Sequence, residues 1–196
     1  MIAQNDDWRA DQAAVEATGV APTNDAESAI VRTLAPGAYT VIVLGKNVPA
    51  GATGVALVDV YDLTPAGSTL ANISTRGFVG TGNQVMIGGV IAGGTGVAPT
   101  NVIVRAIGPS LTPLGVTGAL SDPVLQLYDS NGNLTNSNDD WQSDPGAAQV
   151  QAAGIAPRDP RESAIFTTIT GGGRTAVVSG KDGLTGVGLV EVYYVP

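Results

Sequence analysis

The sequence predicts an all-β protein made of β-sandwich modules with short helical turns, one module complete and one present as a half. Three observations carry that prediction. The composition favours turns over helices, with 27 Gly and 12 Pro in 196 residues and charged residues at 13%. Such a chain suits short strands joined by tight turns. A block that begins Asn5-Asp6-Asp7-Trp8 recurs as Asn138-Asp139-Asp140-Trp141. Both copies close on a valine-rich run ending in Tyr, Gly54 to Tyr61 and Gly186 to Tyr193, and such runs read as strands.

The repeat sets the organisation. Each Trp is followed by an Asp three residues on (Asp11, Asp144), an alanine-rich segment and Ala-Pro (Ala21-Pro22, Ala156-Pro157). Next come Glu-Ser-Ala-Ile (Glu27 to Ile30, Glu162 to Ile165) and Gly-Lys (Gly45-Lys46, Gly180-Lys181). The same order in both copies indicates a repeat architecture. The material from residue 71 onward that precedes the second copy has no counterpart in the first. Residues 1–63 therefore read as the C-terminal half of a repeat. Residues 64–70, Thr-Pro-Ala-Gly-Ser-Thr-Leu, read as a linker, and 71–196 as one complete module.

In the half-module, residues 11–18 read as a short helix with Asp11 placed to cap it and Gly19 to end it. Residues 28–34 and 38–44 read as strands split by Pro36-Gly37, and 54–62 as a third. That third strand carries Val55, Leu57, Asp59 and Tyr61 on one face and Ala56, Val58 and Val60 on the other. Two largely apolar faces suit a strand in the middle of a sandwich. In the complete module, strands are expected at 71–77 and 84–91, with a turn at Gly93-Gly94-Thr95-Gly96 and a strand at 101–107. Gly108-Pro109-Ser110 breaks that strand, and 111–120 reads as irregular with a helical turn. A strand at 124–129 ends in Asp129-Ser130-Asn131-Gly132, a hairpin signal. A short helix at 145–153 and strands at 163–169, 174–179 and 186–195 complete the module.

The stretches ANISTRGFVGTGNQVMIGG (71–89), VIVRAIGPSL (102–111), LQLYDSNGNLTNSNDDW (125–141) and GVGLVEVYYV (186–195) carry a resemblance. Together they resemble a tandem repeat module of very large secreted surface proteins of environmental bacteria, over nearly the whole chain. The order of turn, acidic segment, paired strands and final valine strand is also similar to bacterial pre-peptidase C-terminal domains. The resemblance implies jelly-roll/Greek-key-like β-sandwiches that serve as appendages of secreted enzymes or surface proteins, extracellular or at the cell surface. Some pre-peptidase C-terminal domains bind calcium or collagen. No ligand position of that family maps residue by residue onto this chain.

Charge and missing residue types narrow the functions. A net charge of -8 repels phosphate backbones and anionic lipid, which argues against nucleic-acid and membrane-surface binding and suits calcium or a basic partner. The chain has no Cys and no His, so disulfides, thiolate metal sites and imidazole general bases are excluded. No apolar run is long enough to span a bilayer. The start, Met1 to Asp7, has neither a basic nor a hydrophobic region and is no signal peptide. With the repeat, that reads as a piece processed from a longer precursor.

The acidic cluster is the foremost candidate site. Asn138, Asp139, Asp140 and Asp144 place four oxygen-bearing side chains within seven residues, and Asn5, Asp6, Asp7 and Asp11 repeat them. Calcium takes about six to eight oxygens, often from one Asp/Asn-rich loop. The alternative is that these side chains make Asx-turns and cap the short helix, with each Trp plugging a sandwich edge. Asp129 to Asn133 resembles the start of a calcium loop, but lacks the closing Glu and reads as a plain turn. Glu27 and Glu162 are possible ligands, with pairing to a neighbouring Arg the simpler account.

Asp59 and Glu191 sit mid-strand among valines, where a buried carboxylate must be paired. Arg105, in the apolar strand 102–107, is the expected partner of Glu191 in a structural ion pair. Gly45-Lys46 and Gly180-Lys181 are not phosphate loops, because Asn47 and Asp182 stand where Ser or Thr is needed and no helix follows. Without His no Ser-His-Asp triad can be built, and nothing in the spacing selects a carboxylate pair for glycoside cleavage. Trp8 and Trp141 could stack on a sugar, but with aromatics at only 5% they read better as core or edge plugs.

A half-module carries strands without a complementary sheet of its own. Three resolutions are open: an upstream half in a longer array, docking on the complete module, or strands from a neighbouring subunit as in donor-strand exchange. The leading expectation is a non-enzymatic extracellular filament or surface fibre, a head-to-tail homopolymer of copies of the chain. The competing expectation is a ligand-binding accessory module for carbohydrate, matrix or calcium in a large secreted bacterial protein.

Overall fold

A computed structural model describes residues 1–46, 49, 53–63, 71–92 and 99–195. The chain divides into two units, 1–68 and 69–196. The expected linker 64–70 and the expected turn Gly93-Gly94-Thr95-Gly96 lie outside the described residues.

Among its described residues the unit 69–196 contains eight strands: β1 (Asn72–Val79), β2 (Met86–Ala92), β3 (Thr100–Ile107), β4 (Pro123–Asp129), β5 (Leu134–Asn138), β6 (Ser163–Ile169), β7 (Gly172–Gly180) and β8 (Gly186–Val195). They form two four-stranded sheets, ordered β1-β8-β3-β6 and β2-β7-β4-β5, with every ladder antiparallel. This is an all-β sandwich with the strand order of a jelly roll. The six ladders are β1–β8, β8–β3, β3–β6, β2–β7, β7–β4 and β4–β5. Each joins one strand from β1–β4 to one from β5–β8, so neither half of the module pairs with itself.

Alternation along the strands fills the core. Val102, Val104 and Ala106 of β3, Leu125 and Leu127 of β4, Ile165 and Ile169 of β6, Ala176 and Val178 of β7, and Val190 and Val192 of β8 lie between the sheets. Burial of such side chains is worth about 1.5–3 kcal/mol each before conformational entropy is counted. The outer face of β3 is covered as well. Ile103 packs in a second cluster with Val150 and Ala164, joined by Trp141, Ile155 and Phe166. Val150 comes from α2 (Ala147–Ala152), the short helix after Trp141.

One strand escaped the pattern. β5, Leu-Thr-Asn-Ser-Asn, is polar and mostly exposed because it is a sheet edge paired only with β4. An edge strand on a solvated face has no apolar alternation to read. The loop from 109 to 114 is a 3-10 segment closed by Gly115 at φ 86°.

The unit 1–68 is different. Its described residues hold a 3-10 turn, Trp8–Asp11, and a short helix, α1 (Gln12–Glu16), but no β-strand. Asp11 stands at the N-cap position without a side-chain capping hydrogen bond, contrary to expectation, while Gly19 at φ 76° follows the helical turn. The expected strands at 28–34, 38–44 and 54–62 form no ladder among the described residues. Equivalent positions show the consequence. In the complete module Ile165, Ile169, Val178 and Val190 are 0%, 1%, 0% and 3% exposed, whereas Ile30, Leu34, Val43 and Val58 are 50%, 47%, 54% and 46% exposed.

Pairing topology accounts for this. Residues 1–63 correspond to β5–β8, and none of those strands ever pairs with another of them. The apolar sequence is right for strands, but the partners are missing, and an unpaired strand has nowhere to place its backbone hydrogen bonds. Truncation at equivalent positions should therefore have unequal effects. Ile165→Ala should destabilise the sandwich by about 2–5 kcal/mol. Ile30→Ala, measured by the same denaturant midpoint, should stay within about 0.5 kcal/mol.

Candidate functional site

The repeated block folds locally in the same way in both units. In the complete module Trp141 N donates to Glu162 O at 2.8 Å, and Ala164 N donates to Asn138 Oδ1 at 3.0 Å. In the other unit Trp8 N donates to Glu27 O at 2.8 Å, and Ala29 N donates to Asn5 Oδ1 at 3.0 Å. Each Asn thus ties the start of its block to the Glu-Ser-Ala-Ile segment about 25 residues later. The lysine of the Gly-Lys pair reaches back to the block as well. Lys181 Nζ lies 2.7 Å from Asp139, and Lys46 Nζ lies 2.6 Å from Asp6 and 3.3 Å from Asp7.

Most of the side chains proposed for calcium have other work. Asn138 Nδ2 donates to Asp140 O at 2.9 Å and to Ser143 Oγ at 3.3 Å. Asp144 turns inward and accepts from Gly146 N at 2.7 Å, and burial pushes its carboxyl above the ordinary range. Asp139 faces Lys181, whose ammonium is 3.9 Å from Asp122 too. Among the described residues no three acidic side chains converge as a metal-holding group. In the first copy Asn5 Nδ2 donates to Asp7 O at 3.2 Å, and Asp6 and Asp7 share Lys46.

Asp122 is a group that the sequence did not single out. Its Oδ1 and that of Asp139 are buried without a hydrogen-bond donor. Burial raises its pKa, Lys181 pulls it down, and the charges of Asp139 and Asp140 push it up again. The turn at Asp129 is the opposite case. There the amides of Asn133 and Asn131 and the Asn133 side chain donate to the carboxylate, holding its pKa below the ordinary value. It is a hairpin turn with Gly132 at φ 80°.

Two carboxylates are deeply placed. Glu191 lies opposite Arg105 in the β3–β8 ladder and opposite Ser74 in the β1–β8 ladder. Arg105 Nε donates to Glu191 at 3.0 Å, with a second, closer bond from its terminal nitrogen. Tyr193 completes the group. Its hydroxyl donates to Glu191 at 2.9 Å, and its ring stacks under the guanidinium with 4.9 Å between Arg105 Cζ and the ring centroid. Burial, then the Glu191 charge, raises the Tyr193 pKa. Arg105 also donates to the Ile155 carbonyl and so links β3 to the segment after α2.

Glu162 is wholly buried, and its partners are backbone amides and a serine hydroxyl rather than an arginine. Gly108 N and Ser110 N donate to one carboxylate oxygen at 3.1 and 2.8 Å, and Ser110 Oγ donates to the other at 2.8 Å. The expected neighbour Arg161 pairs instead with Asp159 at 2.8 Å. Gly108 cannot be larger, because a Cβ there would lie 2.1 Å from the Leu120 carbonyl oxygen. The Gly-Pro-Ser that broke the strand in sequence is therefore the cradle of a carboxylate. The signal was present in the repeated Glu, but its donors come from the other half of the module.

These groups hold strands and turns together. The hollow lined by Pro109, Ser110, Pro113, Arg158 and Asp159 lies beside the Glu162 cradle at the surface. Trp141 is half-buried at the edge of the second cluster, and Trp8 is buried. Lys181 follows β7 in a three-residue 3-10 turn whose Asp182 has φ 52°, so no helix opens there to hold a phosphate. Among the described residues no helix is long and apolar enough to cross a membrane.

No protein-family model matches the chain, and no curated protein does. In structure the chain is similar to the pre-peptidase C-terminal domain of a collagenase from Bacillus anthracis. That similarity has 10% identity and a TM-score of 0.38, and covers 62% of this chain and 88% of that one.

Two experiments test these assignments. Arg105→Met should cost about 3–5 kcal/mol by leaving Glu191 buried and unpaired, and adding Glu191→Leu should restore most of the loss. For Asp122, a folded-state pKa above the unfolded value means that the folded chain binds the proton more tightly. Its ionised form therefore weakens the fold above that pKa. Asp122→Asn should raise the melting temperature at pH 7, and the gap should close as pH falls below the ordinary value of 3.8.

Proposed function

We propose that the chain is a non-catalytic structural protein of the cell exterior, one link of a filament or surface fibre whose sandwiches are closed by strands from a neighbouring link. The observation that carries this reading is the pair of units. One presents a closed sandwich, and the other presents similar strand sequences with the equivalents of its core side chains exposed. Strand-like segments left without ladders favour pairing with another chain, and apolar patches of this kind mark interaction surfaces. The charged groups of the sandwich are engaged in holding strands and turns together, which suits a load-carrying part better than a reaction centre.

The second reading, an accessory module that binds calcium, carbohydrate or matrix, rests on the Asn-Asp-Asp-Trp block. Lys181 and Lys46 already provide the counter-charge that a cation would bring there. Negative-stain electron microscopy of the purified chain over a concentration series, with and without a chelator, separates the two readings. Elongated assemblies that persist in chelator, and that weaken in Val43→Lys, are expected. Monodisperse particles at every concentration, together with saccharide binding in a glycan screen, would replace the structural reading by the second. Loss of assemblies on chelation would put calcium at Asp139 and Asp140.

A further inference from the structure

The identity of the missing strands follows from the ladder pattern, and it rests on reading residues 1–63 as a structural half. Residues 1–5 align with β5, 28–34 with β6, 37–45 with β7 and 54–63 with β8. In the complete module all four strands pair only with β1–β4. We infer that residues 1–63 are completed by a polypeptide segment of the β1–β4 type, with the sequence pattern of residues 71–133.

The chemistry of the donor is written in residues 1–63. Glu27 aligns with Glu162, keeps the local bond from Asn24 N at 3.3 Å, and is exposed where Glu162 is wholly buried. Glu162 gets its further amides from Gly108 and Ser110, which belong to the β1–β4 half. Asp59 aligns with Glu191 and has no cation facing it among the described residues, whereas Glu191 has Arg105 of β3. The donor must therefore bring a Gly-Pro-Ser turn to Glu27 and a strand arginine to Asp59. The half-exposed Ile30, Leu34, Val43, Val58 and Val60 are the apolar side of the same match. Burying a carboxylate against donors in register is a selective requirement, because a segment lacking them would leave a buried charge unpaired.

The test joins a second copy of residues 71–133 ahead of residue 1 of the full chain and follows amide hydrogen exchange. Amides in 28–34, 38–44 and 54–62 should slow by about a thousandfold or more, as expected of core strands, while those of 72–195 stay as they were. In the joined chain Glu27→Gln and Asp59→Leu should each reduce that protection, and neither should matter in the native chain. If the joined chain precipitates, the 71–133 polypeptide added in trans to the native chain gives the same readout. Unchanged exchange in 28–62 while 72–195 remains protected overturns the inference. Protection of 28–62 in the native chain with no loss of protection in 163–195 also overturns it, because those residues would then be satisfied without a β1–β4 segment. Fibres in the native chain with both stretches protected would keep the filament reading and remove the inference. Protection only in the joined chain, without fibres, would do the reverse.

Discussion

Each strand pair of the complete sandwich joins a strand from the first four to one from the last four. Hydrogen bonds between strands, the two faces of the core and the buried charge pairs all depend on that crossing. A ladder satisfies backbone groups that would otherwise be stranded in the interior, and it brings alternate side chains of distant segments together. Where both halves are present, the valines and isoleucines of β6, β7 and β8 disappear from solvent. Where only the later half is present, nearly the same residues form no strand among the described ones.

The two carboxylates report this dependence most sharply. Glu191 and Glu162 each sit in the later half and take their decisive partners from the earlier one, Arg105 from β3 and the amides of Gly108 and Ser110. A buried carboxylate without such partners is costly, so these contacts disfavour alternative registers as well as stabilising the correct one. A shift of one residue in the β3–β8 ladder would turn Arg105 away from Glu191 and move the core valines to the wrong face.

Local and long-range parts of the repeated block separate cleanly. Bonds from Trp141 to Glu162 and from Ala164 to Asn138 recur at the same distances in the first copy. They need only residues from within the block, so the sequence repeat by itself was enough to anticipate a repeated local structure. The acidic side chains were legible as a cluster, but their roles were not. Asp139 is matched with a lysine about 40 residues away, and Asp122, which shares it, lies outside the repeat altogether. β5 was illegible for another reason: an edge strand made of Leu, Thr, Asn and Ser carries no apolar period.

The sequence by itself determined the all-β class, the turns marked by Gly and Asn, the duplication and the boundaries of most strands in the complete module. These follow from composition, periodicity and local hydrogen bonding, which act over a few residues. Tertiary structure decided which strands are neighbours, and with that whether a strand exists. Residues 54–62 and 186–195 have almost the same alternation, but only the second lies between β1 and β3. A strand is a relation between segments, and its hydrogen-bonding partners are chosen by the chain that folds beside it.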